Sequence, residues 1–518
     1  MSKIMSMRGF LTSSLGAPST TASSIGVSAT AVSAIGVACA AVLALPLLSL
    51  PAVAAPAAHA APARPSEAGV PGSTRSLPLV PLSRERVLGA APVQGLYRPS
   101  GEHFSLVGVV WNDPGTELHG RVQVRTRSAR TGEWSGWQDV ETHNADHGAD
   151  PGTAERRARR LRGATAPLWV GGSEGVDVRV RGVDGGARGG RSGGRGARGS
   201  RTDGGRARDS GIGDGGARDS RTVGGGEHGG RTVEAGRPHP PLPSGLRLEL
   251  VDPGDEAPPE GASAGAPRTW PLTGAARAAS AANTDLAGFG ALEIPALDKR
   301  ATERELARLA GPVRSKPYIG PRPRIVTRRG WDADESLREG GFVYAKKVKV
   351  AFVHHTASGN TYTCAQAPSV VRSIYRYHVA SMGWGDIGYN FLVDKCGTIY
   401  EGRAGGVAKA VLGAHTLGFN NNSMGIAVIG SYGATKPPAA AVTAVARLTA
   451  WKLGLFGADP RGKTYLTSGG GNLYPKGKNV RLNVISGHRD GFATECPGKR
   501  LYARLGTARS GAARYQGR

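Results

Sequence analysis

The chain has 518 residues, with 66 Lys and Arg against 40 Asp and Glu, and a formal net charge of +26. That length fits two domains with linkers rather than one, and 79 glycines and 34 prolines against 39% hydrophobic residues exclude a chain packed into cores throughout. So basic a balance invites a nucleic-acid reading, but much of the arginine sits in one low-complexity tract, and no specific nucleic acid is expected.

The N-terminus carries Lys3 and Arg8, then an uncharged run at 34–50, "AIGVACAAVLALPLLSL", followed by small-residue sites at Ala52-Val53-Ala54 and Ala58-His59-Ala60. This is the pattern of a secretory signal, and residues 1–60 are read as signal and flexible leader. The run is interrupted by Pro46 and Pro51 and is shorter than the roughly 20 residues a spanning helix needs, so no transmembrane segment is expected after cleavage. Cleavage removes Cys39 and leaves Cys364, Cys396 and Cys496, an odd number in an oxidising space. For an exported chain, secreted or associated with a cell wall, the polyanions within reach of a basic tract are anionic wall polymers and lipid headgroups.

Residues 80–252 read as an all-β, sandwich-like module. "HFSLVGVVW" (103–111), "RVQVRT" (121–126) and "VDVRVR" (176–181) are apolar or alternating, and turn signals such as "NDPG" (112–115) separate them. Trp134, Trp137 and Trp169 would serve as a sugar platform or, more commonly, as partly buried core. At 183–238 the chain turns Gly/Arg-rich with near-repeats, "GRARDS" and "GGARDS", and no apolar period, which predicts a disordered insertion. The strand pattern resumes at 245–252 with "GLRLELVD", so the module's last strand is expected from beyond the insertion. Residues 253–320 are Pro/Ala/Gly-rich and read as a linker, with a short amphipathic helix near 297–309.

From 321 to 510 the pattern is that of an α/β domain: a mixed sheet with flanking helices. Buried strands are expected at "KVKVAFVHH" (347–355), "MGIAVIGS" (424–431) and "VRLNVI" (480–485), and a strand pair at "YNFLVDKCGTIYEG" (389–402). Helices are expected at 368–379 and 437–454, each opened by proline, and after Pro497. Strand ends on one sheet edge converge, so a histidine of the His354-His355 pair, His488 and Cys496 can meet there. Two imidazoles and a thiolate make a three-ligand zinc site whose vacant fourth position belongs to water, the arrangement of catalytic rather than structural zinc. Strand neighbours point to opposite faces, and spacing does not choose between His354 and His355. Ordinary buried histidines and a buried thiol are the alternative.

Four segments, "VAFVHHTAS", "GWGDIGYNFLVDKCGTIYEGR", "GAHTLGFNNNSMGIAVIG" and "GHRDGFATECPG", resemble the peptidoglycan recognition protein family. That family belongs to the zinc-dependent N-acetylmuramoyl-L-alanine amidase group, which includes the phage T7 lysozyme-type enzymes. The resemblance covers about residues 320–508, and the order of signal, β-module, linker and amidase region is similar to secreted actinobacterial proteins. It implies one zinc ion on His354, His488 and Cys496 and a catalytic Tyr389. Thr494 stands where the T7-type enzymes carry a lysine, and would be a second donor to the oxyanion. With Cys496 on the metal, Cys364 and Cys396 are left to form a disulfide. His378, Trp384, Arg403, His415 and Asn420 are nominated as substrate contacts, with Arg403 suited to a stem-peptide carboxylate and Trp384 to a sugar or aliphatic stem residue. His378 and Asn420 have ordinary structural readings as a core histidine and a turn residue. The implied activity is hydrolysis of the amide between N-acetylmuramic acid and L-alanine in peptidoglycan. The alternatives are a recognition protein that binds muropeptides without cutting them, and a basic scaffold that binds polyanions through the Gly/Arg tract.

Overall fold

The computed structural model describes residues 72–82, 92–97, 101–142, 144–158, 160–182, 240–254, 273–311 and 317–518. The expected signal and leader (1–60) and the Gly/Arg tract (183–238) lie outside the described residues. Among the described residues no helix is long and apolar enough to cross a membrane.

The N-terminal module is all-β. Its strands are β1 (Ser73–Pro78), β2 (Val80–Pro81), β3 (Val93–Leu96), β4 (Phe104–Trp111), β5 (Gly120–Ser128), β6 (Gln138–Val140), β7 (Gly163–Ala164), β8 (Leu168–Gly182) and β9 (Arg247–Asp252). The 15-residue β8 pairs with β4 through its first half, then runs between β3 and β5 through its second. Alternation in β5 and β8 sends Val122, Val124, Val176, Val178 and Val180 into one core with Phe104, Val107 and Leu248. The strand beyond the Gly/Arg tract is β9, and it sits inside the sheet, antiparallel to both β1 and β4. Trp169 is core, whereas Trp134 is exposed and Trp137 lies under the Arg179 guanidinium at 4.0 Å.

β4 does not alternate; all eight of its residues are buried. Such a continuous apolar strand needs cover on both faces. One face fills the module core. The other places Leu106 and Val110, with Val251 of β9, against Val370, Val371 and Ile374 of helix α3 (Ala367–Arg376). Gly108 permits the close approach: a Cβ there would lie 2.3 Å from the Tyr377 hydroxyl, which donates instead to the Thr165 carbonyl at 3.0 Å. The two modules therefore share an apolar cluster.

The second module is a mixed sheet with helices on both faces. Its strands are β10 (Glu293–Ile294), β11 (Ile325–Val326), β12 (Val350–His355), β13 (Phe391–Val393), β14 (Ile399–Glu401), β15 (Ser423–Val428) and β18 (Ile485–Gly487), in the order β10-β11-β14-β13-β15-β12-β18. A separate hairpin pairs β16 (Lys463–Thr467) with β17 (Asn479–Asn483). On the face away from α3, helices α4 (Ala439–Gly454) and α6 (Leu505–Gln516) cover the sheet; a short α5 (Lys499–Tyr502) precedes α6. A Cys364–Cys396 disulfide, with Cα atoms 6.2 Å apart, joins the approach to α3 to the β13–β14 turn.

Within the expected linker, 253–320, a long stretch is folded. Residues 273–311 fold as helix α1 (Gly274–Ala281), strand β10 and helix α2 (Lys299–Ala310), with N-caps supplied by Thr273 and Asp298. Leu286, Ile294 and Leu306 enter the sheet's apolar core, and Asn283 donates to both carboxylate oxygens of Glu401. These three apolar residues are spread thinly through Ala/Gly-rich sequence, too sparsely to set a period.

Candidate metal centre

Parallel register explains why distant ligand types meet. β12 lies between β15 and β18, and Val353 is paired with Gly487. The next residue on each strand is a histidine, so His354 and His488 emerge side by side, their ring centroids 4.5 Å apart. The chain then turns through His488–Asp490 and comes back, with the Arg489 amide donating to the Cys496 carbonyl at 3.1 Å. This return brings Cys496 Sγ to 3.8 Å from His354 Nδ1. His355 points elsewhere: its Nδ1 accepts from the Tyr432 amide at 3.2 Å, and its Nε2 is 4.0 Å from Glu141.

The cluster holds one ligand-type residue more than the sequence reading expects. His147, from the loop after β6 in the N-terminal module, adds a further donor. The ligand-type atoms of His147, His354, His488 and Cys496 all lie within 4.8 Å of one another, and all four residues are buried. The His147 ring is 5.3 Å from that of His354 and 4.6 Å from that of His488. A sequence reading restricted to the second module finds three donors; the fourth lies in "NADHGAD" (144–150), whose only signal is an acid- and histidine-rich stretch without strand pattern.

These donors fit a zinc ion. Bonds of about 2.0–2.3 Å in a tetrahedron separate ligand atoms by roughly 3.3–3.8 Å, and Cys496 Sγ and His354 Nδ1 stand 3.8 Å apart. His147 Nε2 and both ring nitrogens of His488 are buried without a hydrogen-bond partner, and a cation would remove that cost for His147 Nε2 and for one nitrogen of His488. Outer contacts orient the rings as metal-binding imidazoles require. His147 Nδ1 is 2.9 Å from Asp146 Oδ1, which leaves Nε2 to face the cluster. His354 Nε2 is 3.3 Å from His415 Nδ1, which leaves Nδ1 facing the thiol. Burial sets the protonation. It pushes His354 well below the ordinary imidazole range and His488 down to about 3, so both are neutral donors, and it pushes the Cys496 thiol well up. Burial also acts to raise Asp146, but the neighbouring His147 and His488 rings and the Thr494 hydroxyl hold it below the usual carboxylate range. Glu141, partly buried and near Asp146, rises to about 7.

The other predicted site residues surround this cluster. Tyr389 is buried, 5.5 Å ring to ring from His354 and 5.7 Å from both His147 and His378; burial lifts its phenol well above its ordinary pKa. Thr494 Oγ1 accepts from the Cys496 amide at 3.1 Å. His415 lies behind His354, and its backbone amide donates to the Asn420 side chain at 2.7 Å. His378 accepts from the Gly388 amide through Nδ1 at 3.2 Å and stacks on Trp384 at 4.5 Å.

Of the expected contacts, Asn420 and Trp384 are also buried and Arg403 is partly buried, and each meets the N-terminal module. Arg403 grips Glu155 with two hydrogen bonds of 2.8 Å. Asn420 donates to the Gly148 carbonyl at 2.8 Å and to Asp150 at 2.7 Å. Trp384 shares an apolar cluster with Ala149 and Leu161.

The N-acetylmuramoyl-L-alanine amidase family matches residues 344–499, which contain His354, His488 and Cys496 but not His147. The Rv3811 N-terminal galactose-binding domain-like family matches residues 56–200, which contain His147 and stop short of β9. Peptidoglycan-recognition protein SC2 of Drosophila melanogaster is 34% identical over 183 residues, 35% of this chain and 85% of that protein. N-acetylmuramoyl-L-alanine amidase of Homo sapiens is 33% identical over 161 residues, 30% of this chain and 23% of that protein. Among solved structures, wild-type Drosophila PGRP-LB is 28% identical, covering 36% of this chain and 93% of that one at a TM-score of 0.28. With a β-module in front of it, this α/β sheet and its His/His/Cys edge place the chain in the peptidoglycan recognition protein family of amidase-type domains.

Proposed function

We propose that the chain is a secreted zinc-dependent N-acetylmuramoyl-L-alanine amidase that hydrolyses the amide between N-acetylmuramic acid and L-alanine in peptidoglycan. The observation that carries this reading is the buried meeting of His354, His488 and Cys496 at one edge of the amidase-type sheet. His354, His488 and Cys496 would hold the ion, which when bound supplies Lewis-acid polarisation of the scissile carbonyl and acidification of water.

The chain's own groups do the rest. Tyr389, kept protonated by burial, donates a hydrogen bond to the carbonyl oxygen as charge develops there, and Thr494 supplies a second donor. Arg403 pairs with a stem-peptide carboxylate in the two-pronged geometry it already uses with Glu155. Trp384, His378 and Asn420 line the same side, and His415 fixes the orientation of His354 as a positioning residue. Hydrolysis breaks the C–N bond and leaves a muramic acid carboxylate and a free alanine amino group.

A second reading is favoured by one observation: four protein donors make a closed set, as at structural zinc sites. On that reading the chain binds muropeptides without cutting them. The two are separated by digesting defined muropeptides with the chain and with Cys496→Ala, each also on a His147→Ala background that clears the fourth donor. The amidase reading expects one zinc per chain and release of new alanine amino termini by mass spectrometry, both lost with Cys496→Ala. Equal product release with and without Cys496, and no zinc in either protein, would reject it.

A further inference from the structure

We propose that His147 is a fourth ligand to the metal, delivered by the N-terminal module, and that residues 144–157 of that module fill the substrate cleft, so that the folded chain is a closed, latent form. The inference rests on the zinc reading for its ligand half; the occupied cleft stands on protein contacts alone.

Residues 144–157 are pinned to the second module at several points from Asp146 to Glu155. Asp146 accepts the Leu417 amide through its backbone carbonyl at 3.0 Å, and the Gly148 amide donates to the Ala414 carbonyl at 3.2 Å. Asp150 accepts from the Gly418 amide at 2.8 Å and from the Asn420 side chain at 2.7 Å. Glu155 accepts from the Gly385 amide at 3.0 Å as well as from both arms of Arg403. Just beyond, Arg160 Nε donates to the Gly383 carbonyl at 2.9 Å. A carboxylate on Arg403 and acceptors on Asn420 are what a muropeptide stem would present, so Glu155, Asp150 and the Gly148 carbonyl stand in for substrate. Tyr389 and Trp384 are 4% and 6% exposed beneath this cover, which leaves no room for a sugar or a stem residue.

His147 itself is built as a ligand. Asp146 Oδ1 holds its Nδ1 at 2.9 Å, and Nε2 faces His354 and His488 buried and without a hydrogen-bond partner. An imidazole placed there only for packing would not need a carboxylate to fix its tautomer and then leave its other nitrogen unpaired. A donor arriving from another module is one that can leave when that module shifts, which the ligands of the sheet edge cannot do. A ligand for the cleft then sees an affinity scaled by the fraction of open chains.

Two measurements on the full chain test this. In hydrogen exchange, adding zinc to the zinc-free wild type should slow exchange in residues 144–157 by at least about tenfold. The effect should shrink below about twofold in His147→Ala, which still binds zinc through His354, His488 and Cys496, and vanish in Cys496→Ala. Zinc bound by the wild type without slower exchange in 144–157, or with equal slowing in His147→Ala, overturns the ligand assignment. In muropeptide binding, Asp150→Asn/Glu155→Gln should bind at least about tenfold more tightly than wild type, with unchanged exchange in β12 showing that the sheet is intact. Equal affinity overturns the occupied cleft. A wild type that takes up no zinc sinks the amidase reading and the ligand half together, while the affinity ratio still decides the cleft.

Discussion

The stretch that carries Tyr389 and Arg403 hangs on one buried cation, Arg328, and removing it should loosen the site from beneath. The Arg328 side chain is 2% exposed. It donates to both oxygens of Glu335 at 2.6 and 3.2 Å, to Asp386 at 3.0 Å and to the Gly402 carbonyl at 2.7 Å, and it lies 5.2 Å from the Trp331 ring and 4.9 Å from the Tyr375 ring. Asp386 in turn accepts from the amides of Ile387 and Ala404, so the guanidinium ties the approach to Tyr389 to the segment around Arg403. Burial opposes the charge, yet Asp386 and Glu335 more than offset it and hold Arg328 well above its usual pKa. Arg328→Met removes the cation hydrogen-bonded to the Asp386 carboxylate and leaves Glu335 with only Arg338, 3.2 Å away. Breaking a buried pair from one side costs about 3–5 kcal/mol. At about 2–4 °C per kcal/mol for a domain of this size, the melting transition should fall by roughly 6–20 °C. Calorimetry on the purified chain measures it. Arg328→Met/Glu335→Gln/Asp386→Asn should recover part of the loss, because removing the charges together removes the unpaired ones. A single variant that melts within about 2 °C of wild type refutes the cost assigned to the pair. A triple variant as unstable as the single one refutes the electrostatic cause and leaves lost packing in its place.

Two further outcomes follow from other parts of the fold. The Cys364–Cys396 bridge spans a sequence separation of 32, so loop-closure entropy predicts that Cys364→Ala/Cys396→Ala loses about 3–4 kcal/mol, read as a lower denaturation midpoint with a slope that rises as the denatured chain expands; a loss under about 1 kcal/mol would contradict the entropic estimate. Lys452 is buried on α4 with its ammonium donating to the Val407 and Lys409 carbonyls, and burial draws its pKa down to about 7. The unfolded chain binds that proton up to about pH 10.4. Between those values the unfolded state holds one proton more, so this group makes stability rise with pH, by up to roughly 4 kcal/mol across the window. The difference in melting temperature between wild type and Lys452→Met should therefore change in favour of wild type from pH 7 to 9.5; a pH-independent difference would remove Lys452 as the cause.

The edge of the second sheet was legible because two ordinary signals coincide in it. Apolar runs ending in "VHH" and "ISGH" mark buried parallel strands, and parallel strands bring their ends to one edge, where Val353 beside Gly487 sets the two histidines together. His354 rather than His355 could not be read from spacing, since register alone decides which of two adjacent residues faces the cluster. The all-β character of the first module was likewise written in the alternation of β5 and β8. Of the folded stretch 273–311 the helix near 297–309 was legible, while α1 and β10 escaped because Leu286 and Ile294 gain their meaning only from the core they enter.

His147 is the instructive miss, since the clue lay in another element. "FSLVGVVW" is apolar on both faces, and a strand of an all-β module has no use for a second apolar face unless something covers it. The cover is α3, and docking on α3 carries the loop after β6 over the metal-type cluster. Coupling of this kind is reciprocal: by whatever factor docking raises metal affinity through His147, the metal strengthens docking. On the proposed reading, a stem peptide that takes Arg403 from Glu155 and Asn420 from Asp150 would act on both, opening the cleft and releasing the fourth donor in the same step. One segment would then hold both the recognition contacts and the metal-type cluster, so recognition would itself be the event that vacates a coordination position for hydrolysis.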